Sequence, residues 1–262
     1  MLLPACSGDD GNSATGGAGG ASGSGASGGG GASASGGAGA TASGGSGATG
    51  SGGNGATSAC GGEPTHSGEA TYYTFADGSG NCSFPATPQD LMVGAMNHTD
   101  YRNSGACGTC ARITGPSGEV TVRIVDRCPE CPAGDIDLSP QAFEKIAEIS
   151  KGRVPISWQY VPCSVSGPIV YRFKEGSNQW WTALQLRNHK HGIAKLEYEG
   201  PSGFVEVKRE EYNYFVEPAG MGPGPYTLRV TDVYGKVLTD TGIAHVEAGE
   251  VSGASQFPDC GK

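Results

Sequence analysis

Two aspartates and two cysteine pairs lie within residues 105–140, GACGTCARITGPSGEVTVRIVDRCPECPAGDIDLSP. Asp126 directly follows the run Val120–Val125. Asp137 stands in Ile136-Asp137-Leu138, just before Ser139-Pro140. An acid between two aliphatic residues suits a carboxyl whose pKa is raised by apolar surroundings, able to hold or donate a proton. The same placement also suits an Asp that ties a loop to backbone N–H groups. Cys107-x-x-Cys110 and Cys128-x-x-Cys131 are 17 residues apart, a spacing zinc ribbons use. A four-ligand site would leave Cys60, Cys82, Cys163 and Cys260 unexplained. A redox C-x-x-C needs a thiolate at a helix start, and neither pair precedes a helical pattern. Structural disulfides are therefore expected, with no metal and no cofactor.

The elements that position these residues read mainly as β. Val120, Val122 and Ile124 alternate, as in a half-buried strand. Glu69–Phe75 is β-branched and aromatic, Leu91–Met96 is a short apolar strand, and 98–105 reads as loop. Ala111–Thr114 turns through Gly115-Pro116-Ser117-Gly118 into the Val120 strand. Ser139 suits a helix N-cap, Pro140 the first helical position and Gly152 the end, so one helix is expected over about 140–150. Val154, Ile156, Trp158 and Tyr160 alternate again. Beyond Ser166-Gly167-Pro168 no helical period appears. Ile169–Phe173, Trp181–Leu186, Ile193–Tyr198, Phe204–Val207, Tyr226–Val230 and Lys236–Leu238 read as strands. Six to eight short strands in about 90 residues suit an immunoglobulin-like β-sandwich. Tyr171, Phe173, Tyr198, Phe204 and Tyr214 are expected in its core. His189 and His191 are expected at the surface or in hydrogen bonds, not on a metal. Ser255–Cys260 is expected to lie back on a domain surface.

Of the 262 residues, 7–58 are almost entirely Gly, Ser, Ala, Thr and Asn. Such a stretch buries too little surface to offset its chain entropy and reads as a disordered tether of roughly 40 Å span. The expected plan is 1–58 signal remnant and tether, 59–165 first domain, 166–262 second domain. Leu3-Pro4-Ala5-Cys6 is similar to a lipoprotein box, with Cys6 as the lipidated residue, although only Met1-Leu2 precede it. Lipidation of Cys6 would leave eight of the nine cysteines, enough for four disulfides in an oxidising compartment. The protein is then secreted or lipid-anchored at a bacterial surface. A formal charge of −9 without a basic patch argues against nucleic acid and anionic membrane. No apolar run reaches membrane-spanning length. A monomer acting on a neutral polymer fits.

Several runs together resemble the bacterial expansins over about residues 67–258. They are Glu69-Ala70-Thr71-Tyr72-Tyr73-Thr74, Val125-Asp126-Arg127-Cys128-Pro129, Ile136-Asp137-Leu138-Ser139-Pro140, Tyr171–Trp181, Gln185–Lys190 and Tyr212–Val216. The resemblance implies a six-stranded double-psi β-barrel, akin to family 45 glycoside hydrolases and some lytic transglycosylases, followed by a cellulose-binding immunoglobulin-like domain. It implies non-hydrolytic loosening of plant cell walls, with cellulose and related wall glucans as partners. Asp137 matches the family's essential aspartate, Asp126 a second cleft aspartate and Thr71 a cleft threonine. A cleft tyrosine of the family falls on Cys128 here, so the ring either comes from elsewhere, with Tyr73 as the candidate, or is missing. Trp180, Trp181 and Tyr212 match the cellulose-binding row, and Lys174 a lysine near it. The plant and fungal branch suggests Cys82–Cys107 and Cys110–Cys163, which leaves Cys128–Cys131 and Cys60–Cys260.

Hydrolysis with inversion needs an acid and a base. The base position of the hydrolase relatives falls on Phe75, and Asp77 is the only nearby acid, in a turn-like Ala-Asp-Gly-Ser-Gly. The cleft therefore reads as an acid without a base. The alternative is an endoglucanase or lytic transglycosylase using Asp137 as general acid. In a strict strand Trp180 and Trp181 would point to opposite faces, one of them into the core. The family reading turns both outward and requires a twist or bulge near 179–182. Several relatives are basic, which favours acidic pectin. This acidic chain favours cellulose or another neutral glucan.

Overall fold

The computed structural model describes residues 63–260. Cys6, Cys60 and the 7–58 tether lie outside the described residues. The first strands are β1 (His66–Tyr72), β2 (Val93–Asn97), β3 (Cys110–Gly115), β4 (Gly118–Cys128), β5 (Ile136–Leu138) and β6 (Val154–Val161). They close into a barrel in the order β1-β5-β2-β4-β3-β6. The β1–β5 and β2–β4 pairs are parallel and the rest antiparallel, as a six-stranded double-psi barrel requires. Its interior is filled by inward residues such as Ala70, Val93, Ile124, Ile136, Leu138 and Trp158.

Two short helices differ from expectation. Residues 98–101 form one turn, α1 (His98–Tyr101), not loop. Asn97 and Asp100 cap it reciprocally: the Asp100 N–H donates to Asn97 Oδ1 at 2.9 Å and Asn97 Nδ2 to Asp100 Oδ2 at 2.7 Å. The expected helix over 140–150 is only α2 (Pro140–Phe143), with Ser139 as its cap. Past Phe143 the bonding tightens, with Lys145 N–H on the Ala142 carbonyl at 3.1 Å and Ile146 N–H on the Phe143 carbonyl at 3.0 Å, and the Ile146 carbonyl accepts the Ser117 N–H of the β3–β4 turn at 2.9 Å. That oxygen is therefore not available to an α-helical partner at 150, and the helix does not resume.

The second module holds β7 (Val170–Phe173), β8 (Thr182–Arg187), β9 (Ile193–Gly200), β10 (Gly203–Arg209), β11 (Phe215–Glu217), β12 (Tyr226–Asp232), β13 (Val237–Ile243) and β14 (Glu250–Ser252). Their order is β13-β12-β9-β10-β11-β8-β7-β14, all antiparallel. This makes a nearly closed sandwich of two four-strand layers, joined where the end of β10 meets β11. Strands β11 and β14 were too short to be legible as apolar runs. Tyr171, Phe173, Leu196, Phe215 and Leu228 form the core, with Phe257 of the terminal segment buried against them. Phe204 is not core: it lies partly exposed under the Arg229 guanidinium, 3.9 Å from the ring centroid. His189 and His191 are buried, not superficial. His191 Nδ1–H donates to Asp232 Oδ2 at 2.7 Å, a partner 41 residues away in sequence.

Cys82–Cys107, Cys110–Cys163 and Cys128–Cys131 are bonded. Cys260 is also in a disulfide; its expected partner, Cys60, is outside the described residues. Among those residues no cluster of metal-binding side chains occurs and no helix is long and apolar enough to cross a membrane.

Candidate functional site

Strand register gathers the cleft residues. Thr71 on β1 pairs with Asp137 on β5, Asp137 with Ala95 on β2, and Ala95 with Asp126 on β4. Cross-strand partners share a face, so the four side chains form one row. The alternate residues Ala70, Ile136 and Leu138 fill the barrel, so the row faces outward. Strict alternation from Val120, Val122 and Ile124 would send Asp126 into the barrel. A register shift beside Gly94 and Ala95 prevents this. Ile124 and Val125 are both buried, and Asp126 emerges on the outer face. Bulges of this kind re-aim side chains at functional sites.

Thr71 Oγ1–H donates to Asp137 Oδ1 at 2.5 Å. Burial raises the Asp137 carboxyl above the ordinary carboxylate range; the Thr71 bond opposes this, and the charges of Glu130 and Asp126 add to it. Asp126 lies two strands away, about 10 Å between backbones at ordinary strand spacing. Its Oδ1 accepts the Asn81 N–H at 2.7 Å and the Arg127 N–H at 2.8 Å. The loop after β1 lies directly on it: a Cβ at Gly80 would sit 2.5 Å from Asp126 Cβ and Cγ. Asp77 is occupied locally, its Oδ1 accepting both N–H and O–H of Ser79 at 2.8 and 2.5 Å. Those bonds hold its carboxyl below the usual range. Tyr73 extends the row, its N–H donating to the Leu138 carbonyl at 3.0 Å. Its hydroxyl is buried without a protein partner among the described residues. Burial first, then Asp126, Asp137 and Asp77, push this phenol well above its usual range, so it remains a donor. Phe75, noted in the sequence only as unable to carry a proton, is 89% exposed on the same loop.

In the sandwich, Trp180 and Trp181 belong to no regular strand. Residues 178–181 form a tight turn, closed by Asn178 N–H to the Trp181 carbonyl at 2.7 Å. Asn178 Oδ1 accepts the N–H groups of both tryptophans at 2.9 and 3.2 Å. The turn removes the strand alternation, leaving Trp180 72% exposed and Trp181 half-buried. Gly220 braces it from behind. A Cβ there would meet the Gln179 carbonyl oxygen at 2.1 Å, and its φ is +74°, a conformation that favours glycine. Tyr212 is 37% exposed, its ring 5.8 Å from that of Tyr214. Lys174 Nζ lies 5.8 Å from the Tyr214 centroid.

One short loop ties the two groups together. The Asn81 N–H holds Asp126, while Asn81 Nδ2 donates to the Glu211 carbonyl at 2.8 Å. Ser83 Oγ–H donates to the Tyr212 carbonyl at 2.9 Å, and Tyr101 Oη–H to the Glu211 carbonyl at 2.8 Å. Nothing in the local pattern of Asn81 marked it for this; the contacts lie about 130 residues away along the chain.

A family model described as lytic transglycolase matches residues 65–158. The chain is 36% identical over 203 residues to Expansin-YoaJ of Bacillus subtilis (strain 168), covering 74% of this chain and 87% of that one. Two solved structures of the Clavibacter michiganensis expansin are similar throughout their length. The apo form has TM-score 0.70 and 35% identity, covering 74% of this chain and 99% of that one. A point mutant in complex with cellohexaose has TM-score 0.70 and 34% identity with the same coverage.

Proposed function

The chain belongs to the expansin family, and from that premise we propose that it binds cellulose and loosens plant cell walls without hydrolysis. Trp180, Trp181 and Tyr212, with Lys174 beside them, hold the flat C–H faces of glucose rings; aromatic side chains do this at low entropic cost. Thr71, Tyr73, Asp126 and Asp137 grip the same or a neighbouring glucan by hydrogen bonds that compete with its crystal contacts. The observation that carries the non-hydrolytic reading is the occupancy of the neighbouring acids. Asp137 is a raised, half-buried carboxyl, but Asp126 holds two backbone N–H groups under the Gly80 loop and Asp77 is folded onto Ser79. Neither is placed as a free base.

A lytic or hydrolytic alternative keeps one observation in its favour. Asp126 and Asp137 stand on one outer face of the barrel two strands apart, as a carboxyl pair flanking a glycosidic bond would. Extracellular location follows from the family, and the disulfides support it. Anchoring through Cys6, with the Gly/Ser tether as spacer, completes the proposal. The test is extension of heat-killed wall strips under constant load. The intact protein extends them, Asp137→Asn is retained on the wall without extending it, and Trp180→Ala is poorly retained. Full extension by Asp137→Asn would remove the cleft from the mechanism.

A further inference from the structure

A second concavity of about 750 Å³ opens between barrel and sandwich. It is lined by Phe84, Met92 and Arg123 from the barrel and Val170, Arg187 and His189 from the sandwich, and by none of the cleft or aromatic residues above. Its volume falls in the range of small-ligand pockets, about 300–1,000 Å³.

The polar groups in it are unevenly satisfied. Arg123 lies on β4, its guanidinium 5.5 Å from the Phe84 ring centroid. Its hydrogen-bond partner is Thr87 Oγ1 at 3.2 Å, and it has no ion-pair partner among the described residues. Burial lowers its pKa, opposed by the charge of Asp90, which lines the same groove but makes no ion pair with it. Arg187 faces the groove from β8, with Nε on Gln185 Oε1 and Nη1 on Glu250 Oε1, both at 2.5 Å. His189 is buried, and its Nδ1–H donates to the His191 carbonyl at 2.8 Å. That bond fixes the tautomer and makes Nε2 an acceptor. Nε2 points past Gly108, where a Cβ would lie 2.6 Å from it. Burial, with Arg209 and Arg123 nearby, brings His189 down to about 4, so the ring stays a neutral acceptor at ordinary pH.

Asp90 and Glu250 also line the groove, but Glu250 is paired with Arg187, so an Arg123 guanidinium without an ion pair and a fixed neutral acceptor point to a ligand with an anionic group and a hydroxyl donor. A neutral glucan would leave Arg123 uncompensated. A bare carboxylate would leave His189 Nε2 unused. We propose that this groove binds a sugar acid, whose carboxylate pairs with Arg123 and whose hydroxyl donates to His189 Nε2. The planar guanidinium matches the carboxylate, and the apolar wall of Phe84, Met92 and Val170 takes the ring. Because the groove draws on both modules, the bound acid also fixes the barrel against the sandwich.

The test is an NMR titration of the full chain with sodium glucuronate, glucose, acetate and glucose 6-phosphate, followed at the Gly108, Arg123 and His189 amides. The expected result is saturable millimolar binding of glucuronate, with glucose and acetate weaker by about tenfold or more. Arg123→Met, which keeps the apolar stem, removes the response to glucuronate. Arg187→Gln, which removes the cation on the sandwich side of the groove, weakens it. Equal binding of glucose or acetate, tighter binding of glucose 6-phosphate, no saturable shift, or undiminished binding by Arg123→Met would each overturn the proposal. Cellohexaose in the same sample should move signals of Trp180 and Tyr212 but not these three amides, so the two sites fail or succeed separately.

Discussion

In the barrel, Thr71, Asp137 and Asp126 sit inside paired strands, each fixed by a neighbour's register. In the sandwich, Trp180, Trp181 and Tyr212 sit on turns that project beyond the sheet. The first arrangement suits polar groups that must be half-buried and held within tenths of an ångström. The second suits rings whose value lies in exposed flat area. The two therefore respond differently to substitution: the row should lose activity with its binding intact, and the turn should lose binding with its fold intact.

The largest effect is expected in the row. Asp137→Asn should reduce wall extension to the no-protein rate while cellulose retention stays within about twofold, because Asn keeps the Thr71 bond but not the proton. Next comes the turn. Trp180→Ala combined with Trp181→Ala should weaken retention on crystalline cellulose by tenfold or more, as for aromatic anchors worth ~2 kcal/mol or above. Trp180→Ala alone should leave the melting temperature unchanged, since that side chain is mostly in water. Equal loss of melting temperature in both variants would erase the distinction between regions. Gly220→Ala is smaller and sharper. The new Cβ meets backbone and the φ is left-handed, so about 1–3 kcal/mol of stability should be lost. Retention should fall with it as the tryptophan turn is pushed out, which calorimetry and a cellulose pull-down would register together.

The smallest effect is in pH dependence. Asp137 is raised by burial, so the folded chain holds that proton more tightly than the unfolded one. Its contribution is present below about pH 3.9, the unfolded value, and is lost as pH rises through the raised folded value. Asp137→Asn should therefore melt a few degrees above the parent at pH 7, with the difference gone by pH 3. A higher-melting parent at pH 7 would mean that the carboxylate is stabilised in place, contrary to the desolvation argument.

The sequence carried these two regions unequally. The alternation of Val120, Val122 and Ile124 and of Val154 to Tyr160 located β4 and β6, because period-2 burial is a local property. Alternation alone does not carry to Asp126, since a single extra residue at Val125 reverses every face beyond it and a bulge is set by the partner strand; its place in the cleft came from the family resemblance. The helix over 140–150 is cut short after Phe143, and the Ile146 carbonyl that would carry it on is taken by Ser117, 29 residues earlier. In the turn, the adjacent tryptophans posed the problem and Asn178 solves it; an Asx turn before a Trp-Trp pair was a readable signal that alternation obscured. The buried positions of His189 and His191 and the bridging role of Asn81 depend on partners 41 to about 130 residues distant. No local period reports such contacts.

Everything rests on a barrel groove that grips a glucan without cutting it. The direct measurement is the count of new reducing ends in the wall strip and bathing fluid while the strip extends under load. The account predicts extension with reducing ends at the no-protein level for both the intact protein and Asp137→Asn. Reducing ends that accumulate in step with extension, and disappear with Asp137→Asn or Asp126→Asn, would contradict it and make the row a glycosidic acid–base pair.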